Sequence, residues 1–333
     1  MIKIELLIPV IFLSIAYLVT QLSSHQVLNA EDIKFNGYYF ISSTFSILFL
    51  IYLKQKHQNL NIEKVVNSFL VFMIINSICV IIGYFFEIDF FESYFRGNRF
   101  GYSGMLLYHH EIGYVFFIAI MLAYYKLTKK ITLFNLLSFS SIFLSSFLFG
   151  TKKTVFFSLF FVAFLFVKHL SNYKSVISIS SIALVLGLFF RNTLLNIYNA
   201  YHEMFYSIYL KDGFWSSFLS HRNNLLIEKY IPYFIDEKGF KSLFFGFPLF
   251  NNHRSELEFF DLFLFFGIFG LVAYYFYFKL LLKNKSKTSF FLVLCLLFGS
   301  LFSGNLLASA NVMTLLILTI YYINQNPKTY EGY

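Results

Sequence analysis

Charge is what this chain has least of. Only 13% of its 333 residues are Asp, Glu, Lys or Arg, where a soluble domain carries about a quarter. With 58% hydrophobic residues and a mean hydropathy of +0.66, that excludes a soluble globular protein and predicts a polytopic membrane protein. Cysteine is nearly absent. Cys79 and Cys295 each sit inside an apolar run, which excludes a disulfide framework and a cysteine-rich metal centre. There are four prolines and no internal repeat, which argues against a secondary transporter, because transporters tend to repeat their helices and break them near the bilayer midplane. The net charge of +9 does not signal nucleic acid. The lysines fall in short clusters between apolar runs, as expected where positive charge sets membrane orientation.

What is present is a series of apolar runs long enough to cross a hydrocarbon core, which takes about 17 to 25 residues. They lie at approximately 4–22, 37–53, 65–86, 105–125, 131–149, 154–170, 175–190, 257–282, 288–306 and 307–323. The expected class is therefore all-α, about ten transmembrane helices in a single membrane domain over 1–333. The last two runs are separated only by Ser303, Gly304 and Asn305, so a re-entrant pair also fits. The first run follows one lysine and has no small-residue cleavage site after it, which reads as an uncleaved first span. Lysines gather in alternate loops, which puts both termini on the cytoplasmic side and the loops 23–36, 87–104, 150–153 and 191–256 on the outer side. Within the large 191–256 external loop, Ile197, Tyr201, Met204, Phe205 and Ile208 repeat at helical spacing and predict an amphipathic surface helix. A second short helix is expected from Ser220 to just before Pro232.

All five arginines, Arg96, Arg99, Arg191, Arg222 and Arg254, fall on the predicted outer side, while the inner side uses lysine alone. Orientation needs only positive charge, so this set points to the planar, bidentate fork that binds phosphate or carboxylate. Lys152 and Lys153, in the tight turn GTKK, oppose the inside-positive bias and are candidates for holding an anion. The 191–256 loop is close to neutral, so any anion there is held by placed residues rather than by a broad positive field.

The densest polar cluster is His253, Arg254, Glu256, Glu258 and Asp261, which runs directly into the apolar stretch ending near Leu282. At helical spacing Arg254, Glu258 and Asp261 share one face. Asp261 then lies several residues inside an apolar helix, where an ionised carboxylate costs roughly 3 kcal/mol or more unless partnered; an outer-face arginine is the expected partner. His253 and Glu256 are candidates for a base and its helper, with Glu258 as the alternative base. No second spaced ligand group accompanies them, so neither a metal nor another cofactor is expected. His109, His110 and Glu111 head the fourth run. The zinc-protease spacing needs a histidine where Tyr114 stands, which leaves a polar helix end or a lining for a substrate groove. Gly97, Gly101 and Gly104 follow no strand and read as a flexible turn rather than a nucleotide loop.

The order of four stretches resembles the O-antigen polymerase and ligase family of bacterial envelope glycan enzymes. These are RFGYSGMLLYHHEIG before a span, FLFGTKKT between two spans, HRNN early in the external loop, and FFGFPLFNNHRSELEFFDLFLFFGIFG leading into a span. Lys152 and Lys153 stand where members usually show Ser-Arg. The resemblance implies a GT-C-like fold and glycosyl transfer on the outer face of the bacterial cytoplasmic membrane, without a nucleotide sugar. The substrates would be polyprenyl-diphosphate-linked oligosaccharides in contact with membrane lipid, joined into O-antigen, capsule or exopolysaccharide. A chain-length regulator stays open as a further partner. Transfer of finished glycan to a lipid or protein acceptor is the alternative within the class. A lipid-linked oligosaccharide flippase or transporter is the alternative outside it.

Overall fold

The computed structural model describes residues 4–22, 29–56, 61–93, 100–106, 109–169, 191–236, 240–248, 250, 254–283 and 285–325. Among these every regular element is helical: α1 (Ile4–Leu22), α2 (Ala30–Lys56), α3 (Ile62–Phe86), α4 (His109–Lys129), α5 (Leu133–Ser146), α6 (Lys152–His169), α7 (Arg191–Leu219), α8 (Arg222–Leu225), α9 (Ile231–Asp236), α10 (Phe240–Phe245), α11 (Glu258–Leu282), α12 (Lys287–Phe302) and α13 (Ala310–Asn324). Four helical stretches are long and apolar enough to cross a membrane: Ala30–Gln55, Ile62–Phe86, His110–Lys129 and Glu258–Leu282. Leu6–Leu22, Leu133–Phe149, Lys287–Phe302 and Ala310–Asn324 are shorter apolar helices. The expected run at 175–190 lies outside the described residues.

The chain divides into two compact units, one of residues 1–66 and 214–333, the other of 67–213. In the second unit α4 is the buried axis, with Tyr114, Phe116, Phe117, Ile118, Ala119, Met121 and Leu122 inaccessible or nearly so. It packs on α5 and α6, the Phe117 ring stacking on Phe157 with centroids 4.8 Å apart. The glycines expected to make a flexible turn are instead clamped. Tyr102 N donates to Leu148 O at 2.8 Å, Ser93 N to Gly101 O at 2.8 Å, and Ser93 Oγ to Phe149 O at 3.1 Å. Asn76 closes the segment from below, accepting from Met105 N at 2.7 Å. Gly101 and Gly150 let two backbones meet: a Cβ on Gly150 would lie 1.7 Å from Phe100 O. Glycine here serves close approach, not mobility; Gly97 lies outside the described residues.

In the first unit α11 is the axis, lined by α1, α10 and α12. It is broken at Gly267, whose φ of 61° and ψ of −155° are not helical. The break is filled by the backbone that follows α10. Phe247 N donates to Leu264 O at 2.8 Å, and a Cβ on Gly246 would stand 2.2 Å from Phe265 O. A freed helix carbonyl in an apolar environment must find a new donor, and Phe247 supplies it. The same segment is pinned from two further helices. Thr20 Oγ1 donates to Phe245 O at 2.6 Å and Asn36 Nδ2 to Pro248 O at 2.7 Å. Tyr39, Phe250, Phe265 and Phe266 close around it as an aromatic cluster. The chain entering the polar cluster is therefore fixed in place before it reaches α11.

The amphipathic stretch at 197–208 lies within α7, which is interrupted at Gly213 (φ 82°, ψ 179°). The second expected helix runs on past Pro232. α8 passes through a π-helical turn, Leu226–Tyr230, into α9, so Pro232 lies just past the π turn, where the helical hydrogen-bond ladder is already irregular.

Candidate functional site

The polar cluster sits on the first turn of α11. Leu257 is its N-cap with no capping side chain, and Glu258 and Asp261 fill the first turn instead, where the positive end of the helix dipole favours carboxylates. This corrects the helical-face expectation in two respects. Asp261 lies in the opening turn rather than several residues inside, and Arg254 is not on the helix at all. The chain over Arg254–Leu257 is irregular and turns at Glu256, whose φ of 59° is left-handed.

Asp261 nevertheless receives Arg254. The side chain folds back so that Nε donates to Asp261 Oδ2 at 3.0 Å, while Nη2 donates to Asn305 Oδ1. Ser255 adds its backbone N–H at 2.7 Å and its hydroxyl at 2.8 Å, both to Asp261 Oδ1. Asp261 is 2% exposed and Arg254 23%. Burial opposes the charge on Arg254, but Asp261, Tyr39 and Glu258 together outweigh it and hold the guanidinium above the usual arginine pKa. Burial and then the charge of Asp261 also push up the hydroxyl of Tyr230, in the π-helical turn.

Glu258 is 1% exposed and both its oxygens are occupied, Oε2 by Leu306 N at 2.7 Å and Oε1 by Leu307 N at 2.9 Å. It is a tie to the segment between α12 and α13. That segment docks further through Gly304 N, which donates to Glu256 O at 2.9 Å, and through Asn305, whose φ of 72° presents its side chain to Arg254. Sequence reasoning singled out Ser303, Gly304 and Asn305 only as a separator. Three turn-forming residues between apolar runs were the available signal for irregular backbone, and irregular backbone beside membrane helices is tolerated only where protein satisfies it.

Glu256 differs from the other acids. It is 43% exposed, with Oε2 3.4 Å from Arg222 Nη2. Arg222 is 17% exposed, and its Nη1 donates to Leu219 O at 3.3 Å. Its Nε is buried with no hydrogen-bond partner among the described residues. The residues before it, Ser220 and His221, both adopt left-handed φ, 55° and 65°, an uncommon pair for non-glycine residues and of the kind that gathers at ligand sites. The cluster thus joins an exposed carboxylate to a guanidinium with a donor to spare, which is chemistry for binding an oxyanion and accepting a proton.

The remaining candidates fall elsewhere. In the other unit, Lys152 and Lys153 occupy the first turn of α6 rather than the tight turn expected for them. Lys153 Nζ donates to His110 O at 2.9 Å and sits 3.8 Å from the Tyr114 ring centroid, while Lys152 Nζ lies 4.0 Å from that of Phe205. A lysine at a helix N-terminus opposes the dipole, and these acceptors offset that. His110 is exposed and Glu111 half-buried in the first turn of α4, and Arg191 is exposed at the start of α7. Arg96, Arg99, His253 and the side chain of His109 lie outside the described residues. Among the described residues no three His, Cys, Asp or Glu side chains gather as a metal-binding group. Comparison with protein families, with curated proteins and with solved structures finds no match to this chain.

Proposed function

We propose that this protein is an oligosaccharide repeat-unit polymerase of a bacterial cytoplasmic membrane, joining polyprenyl-diphosphate-linked oligosaccharides on the outer face. The observation that carries the reading is the contact of Arg222 with the half-exposed Glu256 at the head of α11. A guanidinium that can hold a diphosphate and a carboxylate that can take a proton stand side by side where a membrane-length helix begins. The order of the four stretches that resemble the O-antigen polymerase and ligase family supports the same reading. The lysine pattern is consistent with it, since it favours both termini in the cytoplasm and 191–256 outside, and the resemblance would make the expected arrangement of about ten spans GT-C-like.

In the reaction, a hydroxyl of the acceptor glycan attacks C1 of the donor's first sugar. The C1–O bond to the diphosphate breaks and its electron pair leaves with the polyprenyl diphosphate. Arg222 stabilises the charge that develops on that leaving group, and Glu256 accepts the proton of the attacking hydroxyl. Asp261 and Glu258, whose oxygens are already engaged, hold the loop that presents Glu256.

The test is reconstitution of the full chain in liposomes with a defined lipid-linked oligosaccharide. A ladder of products one repeat apart, with release of polyprenyl diphosphate, is the expected result, and Glu256→Gln should give none. Transfer only to a lipid or protein acceptor would make the protein a ligase. Passage of substrate across the bilayer with no new bond would make it a flippase.

A further inference from the structure

Glu256 uses only half of what Arg222 offers. The Nε–H and Nη2–H of a guanidinium point the same way and form a fork matched to two oxygens of one carboxylate or phosphate. Here Glu256 Oε2 lies 3.4 Å from Nη2, longer than the roughly 2.7–2.9 Å of a charge-assisted hydrogen bond. The other arm, Nε, is buried and engages nothing among the described residues.

Both partners are held in place, Glu256 through its backbone and Arg222 through its side chain and the turn before it, so the pair does not simply close. The carbonyl of Glu256 is bound by Gly304 N, and its φ is fixed at 59° between Ser255 and Leu257. The amide and hydroxyl of Ser255 are bound to Asp261, and Leu257 N donates to Ser255 Oγ at 3.2 Å. On the other side, Arg222 follows the left-handed residues Ser220 and His221, and its Nη1 is tied to Leu219 O. A partly exposed ion pair of this kind is worth little, so exchanging it is cheap. A diphosphate carries more charge than a carboxylate, and the oxygens arranged tetrahedrally around each phosphorus can reach both arms.

We propose that Glu256 is a placeholder on Arg222. The diphosphate of the lipid-linked donor takes both arms of the fork and displaces the carboxylate, which is thereby freed to act as base only when donor is bound. This rests on the polymerase reading and adds an order of events to it: donor first, then activation toward the acceptor. It also separates the two arginines. Arg222 binds the donor, whereas Arg254, with Nε and Nη2 already engaged by Asp261 and Asn305, is a positioning residue.

The test uses the full chain in nanodiscs with farnesyl diphosphate as the probe. Carboxyl groups are labelled with carbodiimide and glycine ethyl ester and read by peptide mass spectrometry. Saturating probe should raise labelling of Glu256 by about threefold or more, whereas farnesol should not, and Glu258 and Asp261 should stay unlabelled throughout. Glu256→Gln should bind the probe about two- to fivefold more tightly, the scale of a partly exposed ion pair. Arg222→Gln should show the high labelling of Glu256 without any probe. If the probe binds and Glu256 labelling stays constant or falls, or if Glu256→Gln binds more weakly, the exchange is wrong while the polymerase reading stands. If farnesyl diphosphate does not bind the wild-type chain, both fail together.

Discussion

Arg254 reaches Asp261 from outside the helix that carries Asp261, Nε to Oδ2 at 3.0 Å across seven positions of chain with a left-handed residue, Glu256, between them. A helical face would have produced the same pair with a different consequence. On a helix the contact would decorate a surface that stands without it. Here Asp261 also gathers the amide and hydroxyl of Ser255, so one carboxylate sets the path of the loop that presents Glu256.

Asp261→Asn should therefore destabilise the protein through an uncompensated arginine as well as through lost hydrogen bonds. Breaking a buried pair from one side costs about 3–5 kcal/mol, and the partial exposure of Arg254 reduces this to about 2–3 kcal/mol. The double variant Arg254→Met with Asp261→Asn should be more stable than Asp261→Asn alone, because no charge is then left unpaired. Thermal unfolding in detergent, followed by tryptophan fluorescence, checks the order. A double variant no more stable than the single would show that the charge pair is not what the loop depends on.

Glu258→Gln tests the tie to the segment between α12 and α13. Both backbone donors, Leu306 N and Leu307 N, now point at carboxylate oxygens, and an amide side chain would turn one NH2 group against an N–H. Leaving a buried donor unsatisfied costs about 1–3 kcal/mol, or roughly five- to 150-fold in local opening. Hydrogen exchange over 303–309 should speed up by that factor, with α4 unaffected. Unchanged exchange there would mean that Glu258 does not hold this segment.

How much of this could be read in advance follows from what hydropathy and periodicity measure. The runs at 4–22 and 65–86 and the end near Leu282 agree with the bounds of α1, α3 and α11, because burial in an apolar solvent is written directly in residue type. The Arg254–Asp261 pairing was legible as chemistry, since a buried carboxylate demands a cation. Its geometry was not, because a 3.6-residue period assumes the helix has already begun and cannot register a left-handed turn at Glu256. The docking of Asn305 is a contact across 51 positions with no local signature. Gly101 and Gly104 were misread for a related reason: composition reports the freedom a glycine has, and only the tertiary structure reports that another backbone uses the space.

The close approach at the break in α11 makes two glycines irreplaceable. Gly246→Ala and Gly267→Ala would each place a Cβ within 2.3 Å of backbone atoms, at φ of 92° and 61°. Backbone cannot yield as a side-chain tip does, so each should cost more than about 3 kcal/mol and should abolish a monodisperse peak on fluorescence-detected size exclusion. Gly213→Ala is the control. Its φ of 82° is likewise positive, yet among the described residues nothing lies within 4 Å of the added Cβ, so only the backbone penalty of about 1–3 kcal/mol remains. If all three behave alike, backbone conformation rather than close approach sets the cost.

The two arginines of the cluster should respond differently to lysine, which keeps the charge and loses the fork. At Arg222 the fork is where the donor diphosphate is taken to bind, and neither the exposed Glu256 nor the carbonyl of Leu219 needs a planar partner. Arg222→Lys should then fold normally, raise KM for the lipid-linked donor and lower kcat/KM by about tenfold, the loss expected when a bidentate charged contact worth roughly 3 kcal/mol is reduced to a single one worth about half that. At Arg254 the fork spans Asp261 and Asn305, and one ammonium cannot occupy both positions. Arg254→Lys should lower thermal stability by about 1–2 kcal/mol and reduce kcat through a mispositioned Glu256, with donor affinity kept within about threefold. Donor binding by farnesyl diphosphate titration, unfolding in detergent and ladder formation in liposomes separate the two patterns. Equal loss of donor affinity at both positions would place Arg254 in the binding site beside Arg222 and remove its assignment as a positioning residue.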